Sequence, residues 1–269
     1  MKFSYKPDFR FLVVFDQSKA AHVGLQNAIN LAKPINGAID ILCINQLSNI
    51  EKTENQVAFL RELKEMHQRI KLEMQKLVNL ISETEELTII YSYTYGNLIE
   101  EVQKHIQTTN PDMVVIGRQK KRFLNSFNTR KLNQLRENYD GLILLSGEKN
   151  NLSNTKNLKL GFLDENEINT RFHLIQELIK KTKPVLNVFT VFNKTNIKKE
   201  STPKKVIYEF EENDIVDSNI TNYIHKNKID LLCVRWGIKD SLRNFRDQNH
   251  KLTQKIITNT EAPILLLKN

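Results

Sequence analysis

The stretch FLVVFDQSKAAHVGLQNAINLA, residues 11–32, runs from five apolar residues through Asp16 into a helical pattern. A short apolar run that ends at a turn residue is typical of a strand buried on both faces. Ser18 is a predicted N-cap for the helix that follows. The apolar side of that helix carries Ala21, Leu25, Ala28 and Ala32. The stretch is therefore a strand–helix unit of the kind that builds a parallel sheet.

The same alternation continues along the chain and then starts again. Further strands of the first half are predicted at residues 38–44, 87–93, 113–116 and 142–146. After a polar segment, strands are predicted at residues 158–164, 185–192, 205–210, 231–237 and 263–267. Helical patterns lie between successive strands, but the second half has only the short segment 193–204 where the first has a long helix. We therefore predict two α/β units in tandem, the second without one helix.

The composition fits a globular protein of the cytoplasm. Forty percent of the 269 residues are hydrophobic, enough for a substantial core, and no apolar run approaches the length of a membrane span. Cys43 and Cys233 each lie inside an apolar run, which predicts buried thiols in a reducing compartment. The six histidines are far apart in sequence, so we predict no metal site. Because no apolar run is long enough for a membrane span, we also predict no contact with a membrane.

The order of these motifs resembles the universal stress protein (UspA-like) family in its tandem-domain form. The resemblance rests on the opening unit, on YGNLIEEV at residues 95–102, on DMVVIG at residues 112–117 and on APILLL at residues 262–267. It covers nearly the whole chain and is fainter in the second half.

The resemblance implies a fold and a division into domains. Each domain would be Rossmann-like (adenine nucleotide alpha hydrolase-like), with a mainly parallel five-stranded sheet and helices on both faces. The two domains would pair across their last strands. We predict domains at residues 1–147 and 158–269, joined by a linker at residues 148–157, with the second domain degenerate.

ATP-binding members of that family carry Gly-x-x-Gly, nine residues, and then Gly-Ser or Gly-Thr after the fourth strand. Here Gly117 matches the first glycine, whereas Lys120 stands in place of the second, and Arg130 and Lys131 replace the final pair. Asp16, which lies near the nucleotide in the family, is present. Because most of the glycine pattern is missing, we expect no cofactor, and no ATP or other nucleotide bound in the usual way.

The corresponding positions of the second half depart further from the family pattern. Asp164 corresponds to Asp16, but Arg235 and Ile238 replace the two glycines, and the following segment up to His250-Lys251 contains no Gly-Ser or Gly-Thr pair. Here too we expect no nucleotide.

The segment that follows the fourth strand of the first half is strongly basic. Residues 118–136 contain seven Lys or Arg and no Asp or Glu. Such side chains could hold a phosphate in place of backbone N–H groups. The alternative function is therefore a small-molecule binder for a nucleotide or other anion. Its candidate ligand-binding residues are Asp16, Ser18, Gly117, Arg118, Lys120, Arg130 and Lys131.

Other interpretations of these residues stay open. The basic segment could equally be a solvated loop or a loop that docks on a protein partner. Asp16 is also explained as a turn or helix-cap carboxylate, and Trp236 as a packing residue. Nucleic acid needs a continuous basic stripe or stacked aromatic side chains, and Phe123 and Phe127 are more typical of packing, so we expect no nucleic-acid partner.

The sequence contains none of the catalytic signatures of related α/β nucleotide enzymes, and no P-loop, GxGxxG or G-x-S-x-G. We therefore predict that the protein is not an enzyme. The predicted function is a regulatory protein of the stress response with degenerate ATP-binding motifs, acting through an unidentified protein partner. A homodimer of the tandem pair is compatible with this prediction.

Overall fold

Ten strands join in one sheet in the computed structural model of the protein. The structure describes residues 7–45, 56–118, 129–149, 152, 155–163, 172–192, 205–213, 215–236 and 246–268. The strands are β1 Phe9–Phe15, β2 Gly37–Asn45, β3 Ile89–Tyr95, β4 Met113–Gly117, β5 Leu142–Ser146, β6 Lys159–Phe162, β7 Val185–Phe192, β8 Lys205–Glu211, β9 Leu231–Arg235 and β10 Ile264–Leu267. The helices are α1 Lys19–Ala32, α2 Gln56–Glu85, α3 Leu98–Thr109, α4 Thr129–Glu137, α5 His173–Thr182, α6 Val216–Lys226 and α7 Arg246–Asn259.

The strand order is β3-β2-β1-β4-β5-β10-β9-β6-β7-β8, so the two halves of the chain repeat one topology. Neighbouring strands within each half are parallel. The halves meet at the antiparallel pair β5–β10, where Leu144 lies opposite Leu265. We call this pair the seam. The structure confirms the predicted α/β fold and the pairing of the two halves across their last strands.

Helices cover both faces of the sheet. One apolar layer is built from α1, α2 and α5 with the sheet, and the other from α3, α4, α6 and α7. Strands such as β4 and β5 are buried on both faces, because helices lie above and below them. This burial explains why these strands are continuous apolar runs in the sequence.

A pair of aspartates shows the repeat at atomic detail. The Arg10 amide donates to Oδ2 of Asp112 at 2.8 Å, and the Lys159 amide donates to Oδ2 of Asp230 at 2.8 Å. Each aspartate comes just before the fourth strand of its half and binds the first strand. The two halves therefore anchor the same pair of strands by the same contact.

The difference between the halves lies above β8. On that strand Tyr208 and Phe210 pack on the layer that contains α6, so the alternate residues face the opposite side. Those residues include Glu209 and Glu211, which are exposed, whereas Ile89 and Tyr93 of β3 pack in the layer of α2. The twelve residues 193–204 lie outside the described part of the chain, and α2 has 30 residues. The second half thus combines a charged face on β8 with a shorter connection between β7 and β8.

Most predicted element bounds agree with the structure to within two or three residues. The strands at residues 142–146 and 185–192 were predicted at their observed bounds. The long helix predicted in the first half is α2, and it continues to Glu85. Cys43 and Cys233 are both buried, as predicted, and neither is in a disulfide.

The seam predicts a sharp difference between two leucine substitutions. Leu144 is fully buried at the seam, so Leu144→Ala should lower the free energy of unfolding by about 2–5 kcal/mol, through lost contacts and a cavity. Leu60 on α2 is 61% exposed, so Leu60→Ala should change it by less than about 0.5 kcal/mol. Urea unfolding of both variants checks the prediction, and equal losses would contradict it.

Candidate functional site

The candidate site lies at the carboxyl ends of β1 and β4, where α1 begins. Asp16 directly follows β1, and its Oδ1 accepts a hydrogen bond from the Ser18 amide at 3.1 Å. The Ser18 side chain is the N-cap of α1 and accepts from the Ala21 amide at 3.1 Å. Gln17, between them, has a φ of 61°, which turns the chain from strand into helix. The predicted N-cap is confirmed, and Asp16 supports the same turn.

Gly117 is held against the first turn of α1. A Cβ atom at this position would lie 2.6 Å from the backbone nitrogen of Ala21 and 2.7 Å from the carbonyl carbon of Ala20. Backbone atoms at such distances cannot yield without moving the helix. The packing of α1 on β4 therefore requires a glycine here whether or not a ligand binds.

Arg118 points away from the edge of the first half and into the second. Its guanidinium donates to the carbonyl oxygen of Ile257 and, at 2.6 Å, to that of Thr260, at the end of α7. The side chain is only 5% exposed, and burial lowers its pKa to about 10, which leaves it charged at neutral pH. Arg118 is one of the candidate anion-binding residues predicted from the sequence. In the structure its guanidinium donates to two carbonyl oxygens of the protein instead.

The remaining predicted cations lie beyond β4. Arg130 and Lys131 are in the first turn of α4; Arg130 is exposed and Lys131 half-buried. Cations at the amino end of a helix oppose the helix dipole, and a nearby anion relieves this repulsion. Lys120 lies outside the described residues. The structure therefore places two of the predicted basic residues together at the start of α4.

The β2 side of the edge is acidic. Burial raises the pKa of Cys43 to about 11, and the nearby charges of Asp16 and Glu73 add to this increase. Gln17 donates to Glu73 at 3.4 Å, which places a second carboxylate beside the turn after β1. An anion at this edge would meet two carboxylates near β2 and two cations at α4.

The structure shows two contacts of the site region that sequence reasoning missed. Asn27 of α1 is fully buried; its Nδ2 donates to Ser146 Oγ at 2.6 Å, and its Oδ1 accepts from the Leu152 amide at 2.7 Å. The predicted linker is thus held on α1 at Leu152. The signal in the sequence was an asparagine next to Ala28 on the apolar face of α1.

Trp236 of the second half also crosses to the first half. It is 2% exposed, and its Nε1 donates to Asn133 Oδ1 of α4 at 3.0 Å. This confirms the packing interpretation of Trp236.

The equivalent edge of the second half is less completely described. Asp164 and Ile238 lie outside the described residues, as do the side chains of His250 and Lys251. Arg235 ends β9 and is exposed. The N-cap of α5, Phe172, makes no side-chain capping bond, so the Asp–Ser arrangement at α1 has no counterpart at the start of α5.

Other features of the described residues lie away from this edge. A cavity of about 450 Å³ opens at the opposite edge of the first half, where Asp112, Tyr139 and His173 line it. Within the described ranges, no group of three or more His, Cys, Asp or Glu could hold a metal ion. No helix in that part of the chain is long and apolar enough to cross a membrane.

Comparisons with known proteins agree with the predicted resemblance. Residues 9–128 match the model of the universal stress protein family. The structure is similar to that of a universal stress protein from Archaeoglobus fulgidus, with a TM-score of 0.68 and 13% identity over 96% of this chain and 98% of that one. It is also similar to a protein of unknown function from Pseudomonas aeruginosa, with a TM-score of 0.55 and 13% identity over 96% and 92% of the two chains. No curated protein matches the sequence.

Two glycines of this region give a matched pair of substitutions. Gly117→Ala should lower the free energy of unfolding by about 1–3 kcal/mol, because the added methyl group collides with the α1 backbone. Gly24→Ala should be neutral or stabilising, because its Cβ would lie 3.4 Å or more from its neighbours and alanine favours the helix. Chemical denaturation without any ligand measures both, and a Gly117→Ala variant as stable as the parent would refute the packing role.

Proposed function

We propose that this chain, whose residues 9–128 match the universal stress protein family and whose fold is similar over 96% of its length to that of a universal stress protein, is a non-catalytic regulatory protein of the stress response. It acts through a protein partner, in the cytoplasm, and does not bind ATP in the manner of the family's nucleotide-binding members. The non-catalytic part of the proposal rests on the sequence, which lacks the catalytic signatures of related α/β enzymes.

The proposal rests mainly on the contacts of Gly117 and Arg118, the two residues after Ile116. Gly117 is in contact with the α1 backbone, and the Arg118 guanidinium is occupied by two carbonyl oxygens of the second half. In an ATP site of the family, the glycines after the fourth strand let backbone N–H groups approach the phosphates. Here the residue after Gly117 is an arginine whose side chain serves a contact within the protein, and this supports the loss of the nucleotide.

The start of α1 supports the same conclusion. A helix N-terminus attracts anions because its first N–H groups lack partners. At α1 the Ser18 side chain and the Asp16 carboxylate accept two of the amide hydrogen bonds of this turn, and Asp16 adds a negative charge. A phosphate would have to compete with groups that are already in place.

The second candidate function, an anion binder, is favoured by one observation. Arg130 and Lys131 lie together in the first turn of α4, where an anion would relieve their repulsion from the helix dipole. Its ligand-binding set would be Asp16, Ser18, Gly117, Lys120, Arg130 and Lys131. Arg118 leaves this set, because its guanidinium is directed to α7.

A thermal-shift titration separates the two functions. The protein is titrated with ATP, ADP, AMP, cyclic dinucleotides and inorganic phosphate, at low and at physiological salt. A ligand at one hundred times its Kd adds about 2.7 kcal/mol of stability, which is a readable change in Tm. We expect no change in Tm at physiological salt, and only weak changes common to all the anions at low salt.

The contradicting result is a change in Tm produced by one nucleotide that persists at physiological salt. The double variant Arg130→Met, Lys131→Met then serves as the test of the site, with Lys226→Met in α6 as a distant charge control. If the double variant loses the response and the control keeps it, the anion-binder function replaces the proposed one.

A further inference from the structure

The residue directly after the fourth strand occupies the same position in both halves. The Arg118 amide donates to the Ser146 carbonyl oxygen at 2.6 Å, and the Trp236 amide donates to that of Leu267 at 2.9 Å. Each bond joins the end of the fourth strand to the end of the last strand of the same half. The backbones at Arg118 and Trp236 are therefore fixed within their own halves.

The two side chains, by contrast, cross the seam. The Arg118 guanidinium reaches the end of α7, and the Trp236 indole reaches Asn133 on α4. Both side chains are almost completely buried, at 5% and 2% exposure. Each half thus places one buried donor on the helix that precedes the last strand of the other half.

The carbonyl oxygens at the end of α7 are stabilised by the contact with the Arg118 guanidinium. The last carbonyl oxygens of a helix lack partners within it, and a cation nearby is favourable because of the helix dipole. The last turn of α7 contains no basic residue of its own. In α4 the last turn contains Arg136, which is buried and donates to the Gly141 carbonyl oxygen at 2.6 Å. The first half therefore supplies its own cation, whereas the second half takes Arg118 from the first.

We infer that Arg118 is the C-terminal cap of α7 and, with Trp236, forms a reciprocal clamp through which the end of β4 controls the order of the last helix of the second half. A displacement of β4 or of its following residue would release the carbonyl oxygens of Ile257 and Thr260. The clamp is a conformational link between the candidate site of one half and a helix of the other. It does not depend on which of the two candidate functions is correct.

Hydrogen exchange followed by mass spectrometry tests the clamp on the full-length protein. In Arg118→Met the amides of residues 257–260 should exchange at least about tenfold faster, because charge-assisted hydrogen bonds at the helix end are lost. Arg130→Met removes an exposed cation from the same half and should leave residues 257–260 unchanged. Trp236→Phe keeps a ring but loses the bond to Asn133, and should speed exchange in α4 while α7 stays protected.

Two results would overturn the inference. One is unchanged exchange at residues 257–260 in Arg118→Met. The other is a uniform increase across both halves, which would show that Arg118 stabilises the fold in general and no helix in particular. If Arg118→Met does not fold, Arg118→Lys is measured instead. Lysine keeps the charge but cannot fork to two carbonyl oxygens, so a severalfold increase confined to residues 257–260 supports the clamp and no increase refutes it.

Discussion

The antiparallel pairing of β5 with β10 is the contact on which the rest of the structure depends. Every other strand pair lies within one half and is parallel, so among the described strands this is the pair that joins the two halves of the sheet. Ile143, Leu144 and Leu145 on one side meet Ile264, Leu265 and Leu266 on the other, all buried. The backbone edges of β5 and β10 are paired with each other here. Separating the halves would therefore expose both unpaired backbone groups and apolar surface.

This pairing also explains the arrangement of the candidate site. Running the two halves in opposite directions brings the end of β4 close to the end of α7, and the end of β9 close to α4. Arg118 and Trp236 become buried contacts between halves for this reason. Gly117 is likewise constrained by α1, which packs on the same strand. The edge where a ligand would bind is therefore also the edge that holds the tandem pair together.

The two halves differ in how much of this arrangement they keep. The first half has a complete set of covering helices and a helix α1 whose start is capped by Ser18 and Asp16. In the described part of the second half, α5 begins without a side-chain cap, charged residues lie on the outer face of β8, and the cation at the end of α7 is Arg118 of the first half. A chain built in this way uses its second half as a partner for the first.

The sequence by itself determined the order of strands and helices, the tandem repeat and the cap at Ser18, because these follow from local apolar periodicity and turn chemistry. It also identified the departures from the glycine pattern at Lys120, Arg130 and Lys131. Only the tertiary structure decided where Arg118 points and why Asn27 and Trp236 are buried. Their partners are 103 to 142 residues distant along the chain, and no local pattern encodes a contact at that separation.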